Sequence, residues 1–284
     1  MMKGIAMNKM LFSVTALAAA FVAAPAQAIV MEWGYFADNN FSAATYTSGG
    51  GVTTVAGPGV TTLSWGIPST TGGNQSSLVI SNNPAMGSVD TYVGNTPPQS
   101  APYLGNTLSL THNNNVIDGS SASLQTAVLS SAVMLTPLVP SNPGFPIGPV
   151  NFSISFTETP NSGTCAVSTS PVPCNDIFVL TGGLLNFDFD YDAGDGDGLV
   201  KYFINIFPTS GGVLSTLGNA ACTAAGAAPG CIGFSTAENQ STTLAFGFTI
   251  STQRLTTVPE PGVLALMGLG LLGLAGARRR TRNA

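Results

Sequence analysis

Charge is what this sequence has least of. Only 7 % of its 284 residues are Asp, Glu, Lys or Arg, where an ordinary soluble domain carries about a quarter. That argues against a cytosolic enzyme, whose helices normally display many Lys and Glu. Basic residues are scarcer still. Between residues 29 and 258 only Lys201 and Arg254 stand against twelve acids, a net charge of −10. Nucleic-acid binding needs a basic face to neutralise phosphates, so it is excluded. Histidine occurs once, as His112. A Ser–His–Asp triad would have to use it, and no G-x-S-x-G elbow is present to place a serine. The expectation is a protein that is not an enzyme. Residues 29 to 258 also lack a 3.6-period apolar stripe long enough for a helix.

What is present instead is glycine (34), proline (19) and short β-rich runs broken by Gly, Pro, Asn and Ser, the pattern of an all-β sandwich or barrel. Strands are expected at 61–65, 77–81, 108–113, 124–135, 151–157, 176–180, 185–191, 199–207 and 242–251. The run 124–135 has apolar positions that would also line a helix, but Ser and Thr fill its gaps and Pro137 closes it. Residues 37 to 75 and 137 to 150 are richer in Gly, Ser, Thr and Pro, and the second reads as an extended loop. In the second, Pro137, Pro140, Pro143, Pro146 and Pro149 recur every third position, which suggests polyproline character. About 230 residues can bury a substantial core as one domain. The fold expected is all-β: a single jelly-roll-like sandwich over residues 29–257, with a signal-peptide helix before it and a transmembrane helix after it.

The two ends carry an address. Lys3 and Lys9 precede an apolar stretch from Leu11 to Ala24 and then Ala26-Gln27-Ala28. A positive start, a short apolar core and an A-x-A triplet describe a secretory signal peptide of residues 1–28, cleaved between Ala28 and Ile29 by signal peptidase. Met7 offers a second start. At the other end, Val258-Pro259-Glu260-Pro261 leads into apolar residues 263–277 and then Arg278, Arg279, Arg280 and Arg282. Fifteen residues make a helix of about 22 Å, short for a bilayer core of about 30 Å. Snorkelling arginines would make up the difference and, by the positive-inside tendency, stay cytoplasmic. The body then faces away from the cytoplasm. Gly268, Gly270 and Gly273 fit G-x-G-x-x-G, but they sit inside this apolar run with no following βα unit or acidic residue, so no dinucleotide site is read there.

Residues 258–284 closely resemble the PEP-CTERM sorting signal of Gram-negative bacteria, in which a Pro-Glu-Pro triplet, a short apolar helix and a basic tail occur in that order. The resemblance implies processing by an exosortase, a membrane transpeptidase acting near the triplet, and a destination at the cell surface or in the exopolysaccharide matrix. Within the body, Thr111-His112-Asn113-Asn114 resembles the T-H-x-N signature (Thr111, His112, Asn114) of the THxN group of PEP-CTERM proteins. Glu158-Thr159-Pro160-Asn161 and Cys174-Asn175-Asp176-Ile177-Phe178 look like that group too. The resemblance implies class and address, but no activity. Physically, Thr111, His112 and the Asn residues offer enough side-chain hydrogen bonding at a strand end to organise a turn.

Cys165 and Cys174 are separated by eight residues, and so are Cys222 and Cys231. In an exported chain an even cysteine count reads as disulfides. Four cysteines allow three connectivities and proximity favours the local one, each loop contributing about 2.5–3 kcal/mol. C-x8-C lacks the short knuckle of a zinc site. Candidate metal ligands lie elsewhere. In 186–198, Phe187, Phe189 and Tyr191 alternate with Asp188, Asp190 and Asp192, so a strand would bury rings on one face and expose carboxylates on the other. Gly194 to Gly198 then turns the chain into a hairpin. Asp192, Asp195 and Asp197 form a candidate calcium site, although Ala193 and Leu199 stand where an EF-hand needs Gly and Glu. No other cofactor is expected. Trp33, Trp65, Tyr92 and Tyr103 are candidate sugar-contacting rings, with core packing the more economical role. The reading is an exported structural or adhesive protein, with a carbohydrate- or calcium-binding module as the alternative.

Overall fold

The structure is a computed structural model that describes residues 29–182, 185–194, 196, 198–209 and 213–256. The expected signal peptide, the sorting signal, the transmembrane helix and the side chains of Asp195 and Asp197 lie outside these residues. Among the described residues no helix is long and apolar enough to cross a membrane.

The body is all-β. Among the described residues its strands are β1 (Glu32–Tyr46), β2 (Thr62–Trp65), β3 (Ser76–Ser81), β4 (Ala85–Asp90), β5 (Gly105–Asn114), β6 (Leu124–Val139), β7 (Phe145–Thr157), β8 (Asp176–Leu180), β9 (Phe187–Asp192), β10 (Leu199–Pro208), β11 (Ser215–Thr216), β12 (Ile232–Thr236) and β13 (Gln240–Ser251), with one short helix, α1 (Asn219–Ala224). They form two curled sheets. One has seven strands in the order β11-β12-β8-β7-β6-β1-β4, and the other six in the order β2-β3-β5-β13-β10-β9. The sheets pack face to face over one core drawn from both, where Tyr35 of β1 stacks on Phe248 of β13 with ring centroids 4.6 Å apart.

Period-two alternation decides which residues enter that core. In β9 the three rings turn inward and the three carboxylates outward. Phe189, Tyr191 and Tyr202 pack edge-on around the fully buried Trp33 at 5.7, 5.3 and 5.1 Å. On the outer face Lys201, opposite Asp190 on β10, reaches Asp188 at 3.0 Å and Asp190 at 3.1 Å. This row of charges also blunts β9 as a sheet edge. A second aromatic group surrounds the fully buried Trp65, with Phe156 edge-on at 5.0 Å and His112 parallel at 6.0 Å.

Several boundaries differ from the sequence reading. β1 was not expected: it runs through the start of the Gly- and Ser-rich stretch to Tyr46 as the long partner of β6. Turn-forming Asn39 lies inside β1, fully buried. Its backbone N–H donates to Asn83 Oδ1 at 2.8 Å, and its side-chain amide donates to the same atom and to the Ala37 carbonyl. The proline-rich stretch is not a polyproline loop. Pro137 belongs to β6, and Pro146 and Pro149 to β7. Prolines are tolerated there because β8 pairs with β7 only over Ile154–Thr157, and β7 pairs with β6 only up to Leu135. Each of these prolines therefore has a strand on one side alone. The ambiguous run beginning at Leu124 is strand. β4, β12 and α1 were not expected.

Candidate functional site

Four segments far apart in sequence meet between the sheets. β5 of the six-stranded sheet supplies His112 and Asn114. The chain just after β7 supplies Glu158 and Thr159, the start of β8 supplies Asp176, and the β12–β13 connection supplies Glu238. On β5 the alternation puts Thr111 outward, where its hydroxyl pairs with Thr243 at 2.9 Å, and turns His112 and Asn114 inward, 0 % and 1 % exposed. This corrects the expectation of a turn at a strand end. His112 is a strand residue stacked on Trp65 and edge-on to Phe156 at 4.9 Å. Neither ring nitrogen has a hydrogen-bond partner, and Nε2 lies 3.9 Å from Asp176 Oδ2, beyond hydrogen-bond reach.

The carboxylates are organised in a repeated way. Asp176 has one oxygen tied, Oδ1 accepting from the Thr159 backbone N–H at 2.9 Å and the Thr159 hydroxyl at 3.2 Å, and Oδ2 left without a partner. Glu158 has Oε2 tied to the Trp65 indole N–H at 3.0 Å and Oε1 left over. Glu238 has both oxygens buried and unpartnered. Beside it stands Asn114, whose Nδ2 donates to the Thr236 carbonyl at 2.9 Å while Oδ1 has no partner. An oxygen from each of Glu158, Asp176 and Glu238 lies within 4.8 Å of the others.

Such an arrangement is costly as bare charge. A buried polar group with no partner costs about 1–3 kcal/mol, and more when ionised. Burial pushes the Asp176 carboxyl up to about 9, with repulsion from Glu158 adding to it. Burial likewise raises Glu158 to about 7 and also raises Glu238. Burial pushes the His112 imidazole down to about 3, so the histidine stays neutral and cannot serve as the counter-charge. With the site empty, protons on the acids must relieve the repulsion. What the trio can do chemically is hold a proton or a cation.

Of the trio, Glu158 alone borders grooves at the surface. Glu158 lines a groove of about 440 Å³ beside α1 and another of about 850 Å³ that passes Asp118, Ser120 and Asn161. Asn114 lines a third, of about 640 Å³, walled by Asn74, Gln75, Asn113, Asn115, Asn239 and Gln240.

The other expected residues lie elsewhere. Cys165 is bonded to Cys174 and Cys222 to Cys231, both local pairs. The second pair ties α1 to the start of β12. Asp192 Oδ1 accepts the Gly194 N–H at 2.8 Å and so caps the hairpin turn. Trp33 and Trp65 are core residues, whereas Tyr92 and Tyr103 form a surface pair with centroids 5.4 Å apart. Ile29, the expected first residue after cleavage, packs against the core. Sequence reasoning quoted Glu158 and Asp176 only as parts of a motif and passed over Glu238. The available signal was scarcity: three of only twelve body acids stand away from the Asp-rich hairpin with no basic residue near them in sequence.

Residues 257–280 match the PEP-CTERM protein-sorting motif. The motif implies an exported protein, sorted at the membrane and processed by an exosortase. No curated protein matches the chain.

Proposed function

We propose that this chain is a structural or adhesive component of the cell surface or exopolysaccharide matrix, acting without catalysis and gripping polysaccharide through neutral polar groups. In this reading signal peptidase removes residues 1–28. The body at 29–257 faces away from the cytoplasm, held by the apolar segment 263–277 until the exosortase acts near Pro259–Pro261. Kinship with the THxN group, through Thr111, His112 and Asn114, belongs to the same proposal.

The observation that carries it is the groove of about 640 Å³ walled by five Asn, two Gln and three Ser side chains. Amides and hydroxyls exchange hydrogen bonds with sugar hydroxyls and require no counter-charge, which suits a chain with so few ions. Gln75, Asn113 and Asn115 are already tied to the protein, for example Gln75 Nε2 to the Gly66 carbonyl at 2.7 Å. Asn74, Asn239 and Gln240 are exposed at the rim and would make the contacts. The test is co-sedimentation of the mature protein with exopolysaccharide extracted from the same cells. The protein is expected in the pellet, and replacing both Asn74 and Gln240 by Ala should weaken binding about tenfold, the worth of one to two neutral hydrogen bonds. Wild-type protein remaining in the supernatant would overturn the reading.

A further inference from the structure

We propose that Glu158, Asp176 and Glu238 bind one calcium ion between the two sheets, at a site separate from the Asp192 hairpin. Three features of the geometry lead there. First, an oxygen from each of the three carboxylates falls within 4.8 Å of the others. Ligands around one calcium at 2.3–2.6 Å are separated by at most about 5 Å, so a single ion can touch all three.

Second, the side chains are held as ligands are held. Thr159 fixes one oxygen of Asp176, and Trp65 fixes one oxygen of Glu158. In each case the other oxygen is left buried and unpartnered. Outer partners of this kind orient the groups that bind a metal. Third, a buried polar side chain outside the trio is also left open towards it. His112, 0 % exposed, points Nε2 at Asp176 Oδ2 across 3.9 Å with no hydrogen bond.

No side chain supplies the missing positive charge. The only basic residues between 29 and 258 are Lys201 and Arg254. Lys201 is engaged by Asp188 and Asp190 on the outer face of β9, and Arg254 lies 5.0 Å over the Phe203 ring. The donors are hard oxygens, which suit calcium. A structural zinc site would use Cys and His, and the four cysteines are consumed in disulfides. Two grooves border Glu158 at the surface.

The experiment uses the mature protein from its native cells, stripped with EDTA and titrated with calcium chloride alone, while thermal unfolding is followed. One ion per chain is expected, and calcium at a hundred times its Kd should raise Tm by roughly 5–10 °C for a domain of this size. Terbium in place of calcium should luminesce on tryptophan excitation, because Trp65 touches a ligand. Glu238→Gln should lose calcium affinity about tenfold or more, since ligand charge sets affinity, and should keep or raise its Tm in EDTA. Glu158→Gln serves if that variant does not fold. Asp192→Asn should leave the response intact. The proposal is overturned if calcium leaves Tm unchanged, if Asp192→Asn abolishes the response while Glu238→Gln spares it, or if zinc is bound in preference to calcium.

Discussion

The calcium-free protein should become less stable as pH rises from 5 to 9, the reverse of the familiar acid denaturation. Glu158 and Asp176 have folded pKa values raised to about 7 and about 9. The native state therefore holds their protons after the unfolded chain has released its own. A group raised in this way adds stability that is complete below its unfolded pKa and is lost as pH climbs through the folded value. That window runs from about pH 4.5 to 7 for Glu158 and from about pH 4 to 9 for Asp176. Glu238, also raised by burial, acts with the same sign. His112 opposes them: its folded pKa is lowered to about 3, so its contribution is complete above its unfolded pKa and is lost as pH falls. Below about pH 6.5 two acid protons compete with one imidazole proton, and above it the acids act alone. The net difference of one to two protons corresponds to a slope of about 1–3 kcal/mol per pH unit, or several °C of Tm per pH unit. The assay is thermal unfolding in EDTA across this range, followed by circular dichroism. Asp176→Asn should flatten the slope. A wild-type Tm that rises between pH 5 and 8 would refute the placement of these acids in a dry, cation-poor site.

Three further outcomes follow from the packing. Replacing Cys222 and Cys231 together by Ala should cost about 2.5–3 kcal/mol from loop entropy, visible as a Tm drop in non-reducing buffer. Trp33→Ala should cost about 3–5 kcal/mol, measured by urea denaturation, because Trp33 is fully buried and edge-on to Phe145, Phe189, Tyr191 and Tyr202. Lys201→Met should leave Tm essentially unchanged, since its two ion pairs are about half exposed and exposed pairs contribute little.

Much of the sheet architecture was legible where alternation is strict. β9 announces itself as Phe-Asp-Phe-Asp-Tyr-Asp, and β8 and β10 have hydrophobic runs of strand length. Where a strand carries turn-forming residues, the pattern misleads. Asp38-Asn39-Asn40 in the middle of β1 reads as a loop, and only the distant Asn83, bonding both the backbone and the side chain of Asn39, makes it strand. Pro146 and Pro149 read as breakers because nothing local says that β8 stops short of them. The acid site was hidden for a related reason. His112, Glu158, Asp176 and Glu238 share no spacing, and only the pairing of β7 with β8 and of β5 with β13 brings them together. Sequence picked out Thr111–Asn114 as a signature but read its hydrogen bonding as a turn, because burial of the imidazole depends on Trp65 and Phe156 from other strands.

The central claim is an exported, processed and disulfide-bonded β-domain, and the intact mass of the protein purified from its native cells tests it most directly. The account predicts a chain from Ile29 to near Pro259, lighter by about four daltons for the hydrogens lost in two disulfides. A mass that still contains Arg278 to Ala284 would contradict it, leaving the tail as a membrane anchor rather than a sorting signal.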